Sequence, residues 1–208
     1  MDKTLPTLPV FAIQRHRLTV DGNGVSTLVG AYGCPLQCRY CINPHAWNPA
    51  TLDKCTLMTP DLLYERLKID HLYFLATGGG VTFGGGESLL HADFIRQFRA
   101  VCGPEWTLTA ETSLNVPAAQ LEKALEAVDD FIVDIKDMDP AVYERYTGAP
   151  IRPVLDNLSL LTRKVSPEHI RIRVPMIPSY NTEKHIQNSI EQLQKMGLEN
   201  IEVFPYKI

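Results

Sequence analysis

From Val25 to the end of the chain, short runs rich in β-branched and aromatic residues alternate with stretches of helical periodicity. No other feature constrains the fold as much. Strands separated by helices pair in parallel through crossovers and build a sheet or barrel covered by helices. Strands are expected at 26–30, 80–84, 107–111, 130–136, 169–175 and 200–205, and helices near 60–69, 91–102, 117–127, 139–146, 153–165 and 182–196. Thr59 before Pro60, and Asn181 or Thr182 before the last helix, are suited to helix starts. Six strands are too few for a closed eight-stranded barrel. The expected fold class is therefore α/β, a partial (β/α)6 TIM-like barrel whose open side admits something large. Residues 1–24 read as a small hairpin extension turning at Asp-Gly-Asn-Gly, 21–24. No linker, repeat or low-complexity stretch divides the 208 residues, so a single domain is expected over 1–208.

Composition narrows the function. Lys and Arg number 20 against 24 Asp and Glu, a formal net charge of −4, and no basic run is present to track phosphates. No nucleic-acid partner is expected. The N-terminus lacks the apolar core of a signal peptide, and no apolar run approaches the roughly 20 residues that span a bilayer. No membrane association is expected, and the location should be cytoplasmic. Five cysteines are an odd number in a chain without an export signal. That disfavours a disulfide framework and favours metal ligation or catalysis.

Three of the five, Cys34, Cys38 and Cys41, fall within the stretch GCPLQCRYCINP, 33–44. A structural zinc site closes its tetrahedron with four ligands, and a pair of disulfides also uses four cysteines. Three thiolates at spacings of four and three leave one coordination position for something else. Cys55 and Cys102 read as ordinary small residues in or near the core.

Charged residues on strands of a helix-covered sheet need an explanation. Alternation places Ile132, Asp134 and Lys136 on one face of their strand, Thr107, Thr109 and Glu111 on one face of theirs, and Arg171 and Arg173 together on a third. The ends of barrel strands are where active sites gather, and the cysteine stretch directly follows the first strand. TGGGVTFGGGES, 77–88, sets glycines on both sides of the second strand. Gly85, Gly86 and Glu87 could bring a backbone edge and a carboxylate to a ligand with an ammonium group. A phosphate cradle is disfavoured, because no Lys-Ser or Lys-Thr follows.

These segments together resemble the radical S-adenosylmethionine superfamily, and within it the activating enzymes of glycyl radical enzymes, of the compact pyruvate formate-lyase activase type. The resemblance rests on C-x-x-x-C-x-x-C with Tyr40 before the last cysteine and Asn43 after it, on GGGVTFGGGESLL, and on ETS (111–113), VDIKD (133–137), RVPMIPSYN (173–181) and VFPY (203–206) in the family's order. It covers about Val20 to the end and implies a barrel of the radical SAM type. It also implies that Cys34, Cys38 and Cys41 hold a 4Fe-4S cluster whose fourth iron takes the amino and carboxylate groups of S-adenosylmethionine. One electron would then break the sulfonium bond, giving a 5′-deoxyadenosyl radical that takes hydrogen from a glycine of the partner enzyme.

By the same resemblance, Gly85, Gly86 and Glu87 would hold the methionyl amino group, and Tyr40 and Asn43 would line the adenosine side. Lys136 and Arg173, grouped with the cysteines as catalytic, would sit near the carboxylate or ribose, with Lys207 at the C-terminal edge. Glu111, Thr112 and Asp134 would hold a sodium or potassium ion. Implied partners are a glycyl radical enzyme and an electron donor such as flavodoxin or ferredoxin, for an oxidoreductase working anaerobically as a monomer. The chain departs from the family pattern at several points. D-G-P-G-I-R reads DGNGVS, the serine of S-G-G-E is Gly84, D-T-N-G reads ETSL, and Lys207 stands where histidine is common. Two other functions fit parts of the chain. One is a radical enzyme of this fold acting on a small molecule, and the other is a zinc module completed by His45 or Cys55.

Overall fold

In a computed structural model of the chain, described over residues 6–206, the expected parallel strands form one sheet. The elements in order are β1 (Leu8–Leu18), β2 (Val25–Ala31), α1 (Pro49–Leu52), β3 (Thr56–Met58), α2 (Pro60–Leu67) and α3 (His71–Thr77). There follow β4 (Gly80–Gly85), α4 (Ala92–Cys102), β5 (Thr107–Thr112), α5 (Ala118–Ala124), β6 (Asp130–Asp134) and α6 (Pro140–Thr147). The chain ends with α7 (Arg152–Lys164), β7 (Ile170–Met176), α8 (Glu183–Lys195) and β8 (Ile201–Pro205). Strand order is β3-β1-β2-β4-β5-β6-β7-β8, with β2 and β4 to β8 all parallel. Among the described residues the sheet is not closed, and β8 leaves one edge unpaired beside the half-exposed Met176 and Val203.

Local chemistry sets the element ends. Thr59 accepts from Leu62 N and precedes Pro60 at the start of α2, and Asp139 accepts from the N–H groups of Ala141 and Val142 before Pro140 opens α6. Gly148 ends α6 in the left-handed conformation. The core lies between sheet and helices, where Phe74, Phe83, Phe94, Phe98 and Trp106 pack edge to face or stacked, all nearly inaccessible.

Two expectations change. The hairpin expected to turn at 21–24 forms, but its second strand is the first barrel strand: β1 pairs antiparallel with β2, and β3 adds on β1's other side. The strand expected at 130–136 leaves the sheet after Asp134. The turn between β1 and β2 folds inward instead of projecting. Thr82 Oγ1 donates to Asp21 O, Arg171 to Thr19 O, Arg173 to Val20 O, and Asn23 Nδ2 to Asp130 Oδ2 at 3.1 Å. These contacts fall towards the starts of β4, β6 and β7, so residues 19–24 plug the floor of the barrel and Asp21 is 3% exposed. The opposite mouth carries the chemistry.

Candidate active site

The cysteine stretch leaves the C-terminal end of β2 and is tied down on both flanks. Gly33, at φ 116°, donates to Ala46 O at 2.7 Å, and the Tyr32 carbonyl lies 2.7 Å from His91 Nε2. Around the middle cysteine, Gln37 N donates to Thr147 O at 3.0 Å and Arg39 N to Tyr146 O at 3.1 Å, so the C-terminal carbonyls of α6 brace the loop. The three thiols are half-buried. Burial pushes Cys34 up to about 12, with Glu87, Cys38 and Cys41 adding to the rise. Cys38 is also raised by burial, against the opposing charge of Lys136. Binding iron would displace those protons.

Three thiols on a fixed loop, with a lysine near the middle one, would suit an iron–sulfur cluster. Among the described residues no three His, Cys, Asp or Glu side chains gather as a single-ion site would need. Cys55 bonds to Thr51 O, and Cys102 is buried at the end of α4, where burial pushes it up to about 11.

The glycine turn after β4 packs against the cysteine stretch. Gly86 N donates to Ala31 O at 3.1 Å and Glu87 N to Gly33 O at 2.7 Å. Gly85 has φ 85°, and a Cβ there would strike Phe11 and Gly30. Glu87 itself is 2% exposed and turned inward. Its Oε1 accepts from Thr112 Oγ1 at 2.6 Å and Leu89 N at 3.1 Å, and its Oε2 from Ser113 N at 2.8 Å and Ser113 Oγ at 2.6 Å. Burial raises its proton affinity, while these donors favour the carboxylate. The carboxylate expected to meet an amino group thus accepts four hydrogen bonds that lock the turn to the end of β5.

The charged residues expected on inward strand faces do converge. Arg173 Nη1 pairs with Glu111 Oε1 at 2.8 Å, and its Nη2 lies 3.8 Å from Asp21 Oδ1, which in turn is bonded by Arg17. Lys136 Nζ pairs with Asp134 Oδ2 at 3.2 Å. Burial pushes Glu111 up to about 7 despite Arg173, with Asp21 and Asp134 adding to the rise. For Lys136 burial works downward, but Asp134, Cys38 and Tyr206 together outweigh it and the ammonium is held above its ordinary range.

The residues expected to hold a cation, Glu111, Thr112 and Asp134, are placed as follows. Thr112 faces the other side of β5, where it holds Glu87, and each acid already has its own cationic partner. Tyr40 is half-buried, its ring edge-on to Tyr180 at 5.7 Å and to Tyr146 at 6.3 Å, and Asn43 opens a short 3-10 turn beside it. Lys207 lies outside the described residues.

Sequence reasoning missed Asp21 and Arg17, which pair with each other beneath Arg173. Asp21 had a signal, the acid of the D-G-x-G turn. No helix among the described residues is long and apolar enough to cross a membrane.

Comparison with known proteins gives three kinds of match. A family model described as the Radical SAM superfamily matches residues 28–193. The pyruvate formate-lyase-activating enzyme of Clostridium pasteurianum is 32% identical over 190 residues, covering 90% of this chain and 77% of that one. The (2S)-3-sulfopropanediol dehydratase activating enzyme of Klebsiella oxytoca is 28% identical over 231 residues, covering 83% of this chain and 72% of that one. Among solved structures, Streptococcus suis SuiB bound to precursor peptide SuiA matches with a TM-score of 0.64 at 12% identity. That match covers 85% of this chain and 37% of that one, a likeness of fold to one part of the larger protein.

Proposed function

The chain belongs to the radical SAM superfamily, and from that premise we propose that it activates a glycyl radical enzyme, pyruvate formate-lyase or a relative, by removing a hydrogen atom from a backbone glycine. The observation that carries this is the 32% identity to an activating enzyme over nine-tenths of the chain. Members of the superfamily use a 4Fe-4S cluster and S-adenosylmethionine. Bound together, these groups supply a carbon-centred radical able to take the α-hydrogen of glycine.

The chain's own residues bind and position. Cys34, Cys38 and Cys41 hold the cluster, and the carbonyls at Gly85 and Gly86 accept from the methionyl ammonium. Lys136 and Arg173 offer cations to the carboxylate or ribose, and Tyr40 and Asn43 border the adenosine. The gap beside β8 is the entry for a loop of the partner protein, whose seating excludes water before hydrogen transfer. A low-potential one-electron carrier such as flavodoxin or ferredoxin completes the system, acting on a monomer in the cytoplasm.

The test is a reaction of the reduced, reconstituted protein with S-adenosylmethionine and a glycyl radical enzyme labelled with α-deuterated glycine. Deuterium in the 5′-deoxyadenosine is expected, together with a radical signal on the partner that is a doublet with unlabelled glycine and collapses toward a single line with the label. Cleavage that runs only with a small metabolite, and no deuterium transfer from any partner, would replace the protein substrate by a small molecule.

A further inference from the structure

Leu114 sits in the left-handed backbone region, at φ 58°, with its side chain wholly buried in the core. A residue with a Cβ holds that conformation only at a cost, and the activase pattern D-T-N-G has glycine here. The surroundings must therefore hold the backbone. Thr112 Oγ1 accepts from Leu114 N at 2.9 Å, and Asn157 Nδ2, from α7, donates to Leu114 O at 2.9 Å and to Val116 O at 2.8 Å. Asn157 is 2% exposed, and with carbonyls as both partners only the NH2 end of its amide can face them. Its two hydrogens are spent on this one turn. The same turn grips Glu87. Ser113 N and Oγ donate to Oε2 at 2.8 and 2.6 Å, and Thr112 gives its single hydroxyl hydrogen to Oε1 at 2.6 Å. Glu87 N in turn donates to Gly33 O at 2.7 Å, just ahead of Cys34, and Gly86 N to Ala31 O at 3.1 Å. A continuous run of hydrogen bonds thus leads from α7 through the end of β5 to the glycine turn.

We propose that Asn157 is a positioning residue for S-adenosylmethionine: by clamping Leu114 in the left-handed conformation it presents Thr112 and Ser113 to Glu87, and so fixes the Gly85–Gly86 turn that receives the methionyl ammonium. The proposal rests on the function proposed above. Without the clamp, Leu114 relaxes toward ordinary backbone angles and the donors to Glu87 swing away. A turn formed only part of the time weakens the apparent affinity by the fraction of time it is formed.

The experiment has two readouts on the full chain, and the first needs no cofactor. Asn157→Leu keeps the side chain's size and removes both donors. Amide hydrogen exchange at Glu87 and Ser113 should then quicken by about tenfold or more relative to the amides of α4. The second readout is calorimetric affinity of the reconstituted, iron-replete protein for S-adenosylmethionine, whose Kd should rise about tenfold at unchanged iron content. A merely structural role would quicken exchange everywhere alike and leave the affinity of the folded protein where it was. Phe98→Leu, in the core beside Phe83, should behave in that way. In a Leu114→Gly background, where the left-handed backbone needs no clamp, Asn157→Leu should cost less affinity than it does alone; Leu114→Asn serves if the glycine leaves too large a cavity. Equal losses in both backgrounds overturn the proposal, as does Asn157→Leu with unquickened exchange at Glu87 and Ser113 or with unweakened affinity. Should Asn157→Leu fail to fold, Asn157→Ser, too short to reach both carbonyls, decides by the same measures. Reconstituted unaltered chain that binds no S-adenosylmethionine overturns the proposed function and this role with it, whereas normal binding that ignores Asn157 overturns only the role of Asn157.

Discussion

A Cβ built on Gly84 would stand 2.5 Å from Glu111 Oε2 and 3.1 Å from Leu28 Cδ1, so the glycine and the long acid share one space. The activase pattern has serine and aspartate at these two positions, and the chain departs at both. The departures compensate: the longer carboxylate reaches Arg173 through room that a serine would fill. Gly84→Ser alone should cost about 1–3 kcal/mol by overpacking. Glu111→Asp alone should cost a similar amount by loosening a buried charged hydrogen bond, about 1.5–3 kcal/mol. Together they should cost less than the sum by about 0.5–3 kcal/mol, read from urea unfolding as a double-mutant cycle. Strict additivity would separate the two positions. At Glu87, replacement by glutamine turns an NH2 group toward donors, and a loss of at least about 2 kcal/mol in the same assay is expected. Neither partnership was legible in the sequence. Gly85 at positive φ breaks the strand alternation just before Glu87, so counting faces from β4 could not tell that the carboxylate turns inward.

The faces of unbroken strands were legible. Asp134, Glu111 and Arg173 lie where alternation places them, because β5 to β7 carry no reversal before those residues. Elements whose partners are distant or whose pattern is masked were not. Strand β1 pairs with a barrel strand instead of folding back within its own segment, β3 has three residues, and α3 presents Leu72 and Tyr73 to solvent, which hides its helical period. At this scale the start of α4 matters most, since His91 there holds the Tyr32 carbonyl just ahead of the cysteines. Burial lowers the His91 pKa below its ordinary 6.5, against the Tyr32 carbonyl. A histidine depressed in the folded state contributes stability that is fully present above 6.5 and is lost as pH falls from there through the folded value. Urea midpoints should therefore drop between pH 7.5 and pH 5.5, and His91→Leu, less stable at the higher pH, should show a smaller drop. An equal drop in both proteins would remove His91 as the cause.

Across the whole molecule the barrel lumen balances its own charge. Arg17, Arg173 and Lys136 face Asp21, Glu111 and Asp134 in contacts that run from the floor toward the mouth. With each acid already countered, neutrality calls for no added cation. Affinity of the reconstituted protein for S-adenosylmethionine should stay within about twofold when sodium or potassium is exchanged for choline, measured by calorimetry. A tenfold gain, about 1.4 kcal/mol, with either ion would restore the cation site. The plug at residues 19–24 also bears on timing. Under the proposed function, a spent cofactor seated at the mouth would have residues 19–24 beneath it and the docked loop above it, so the pace of repeated turnover would be set by undocking of the two proteins rather than by bond breaking.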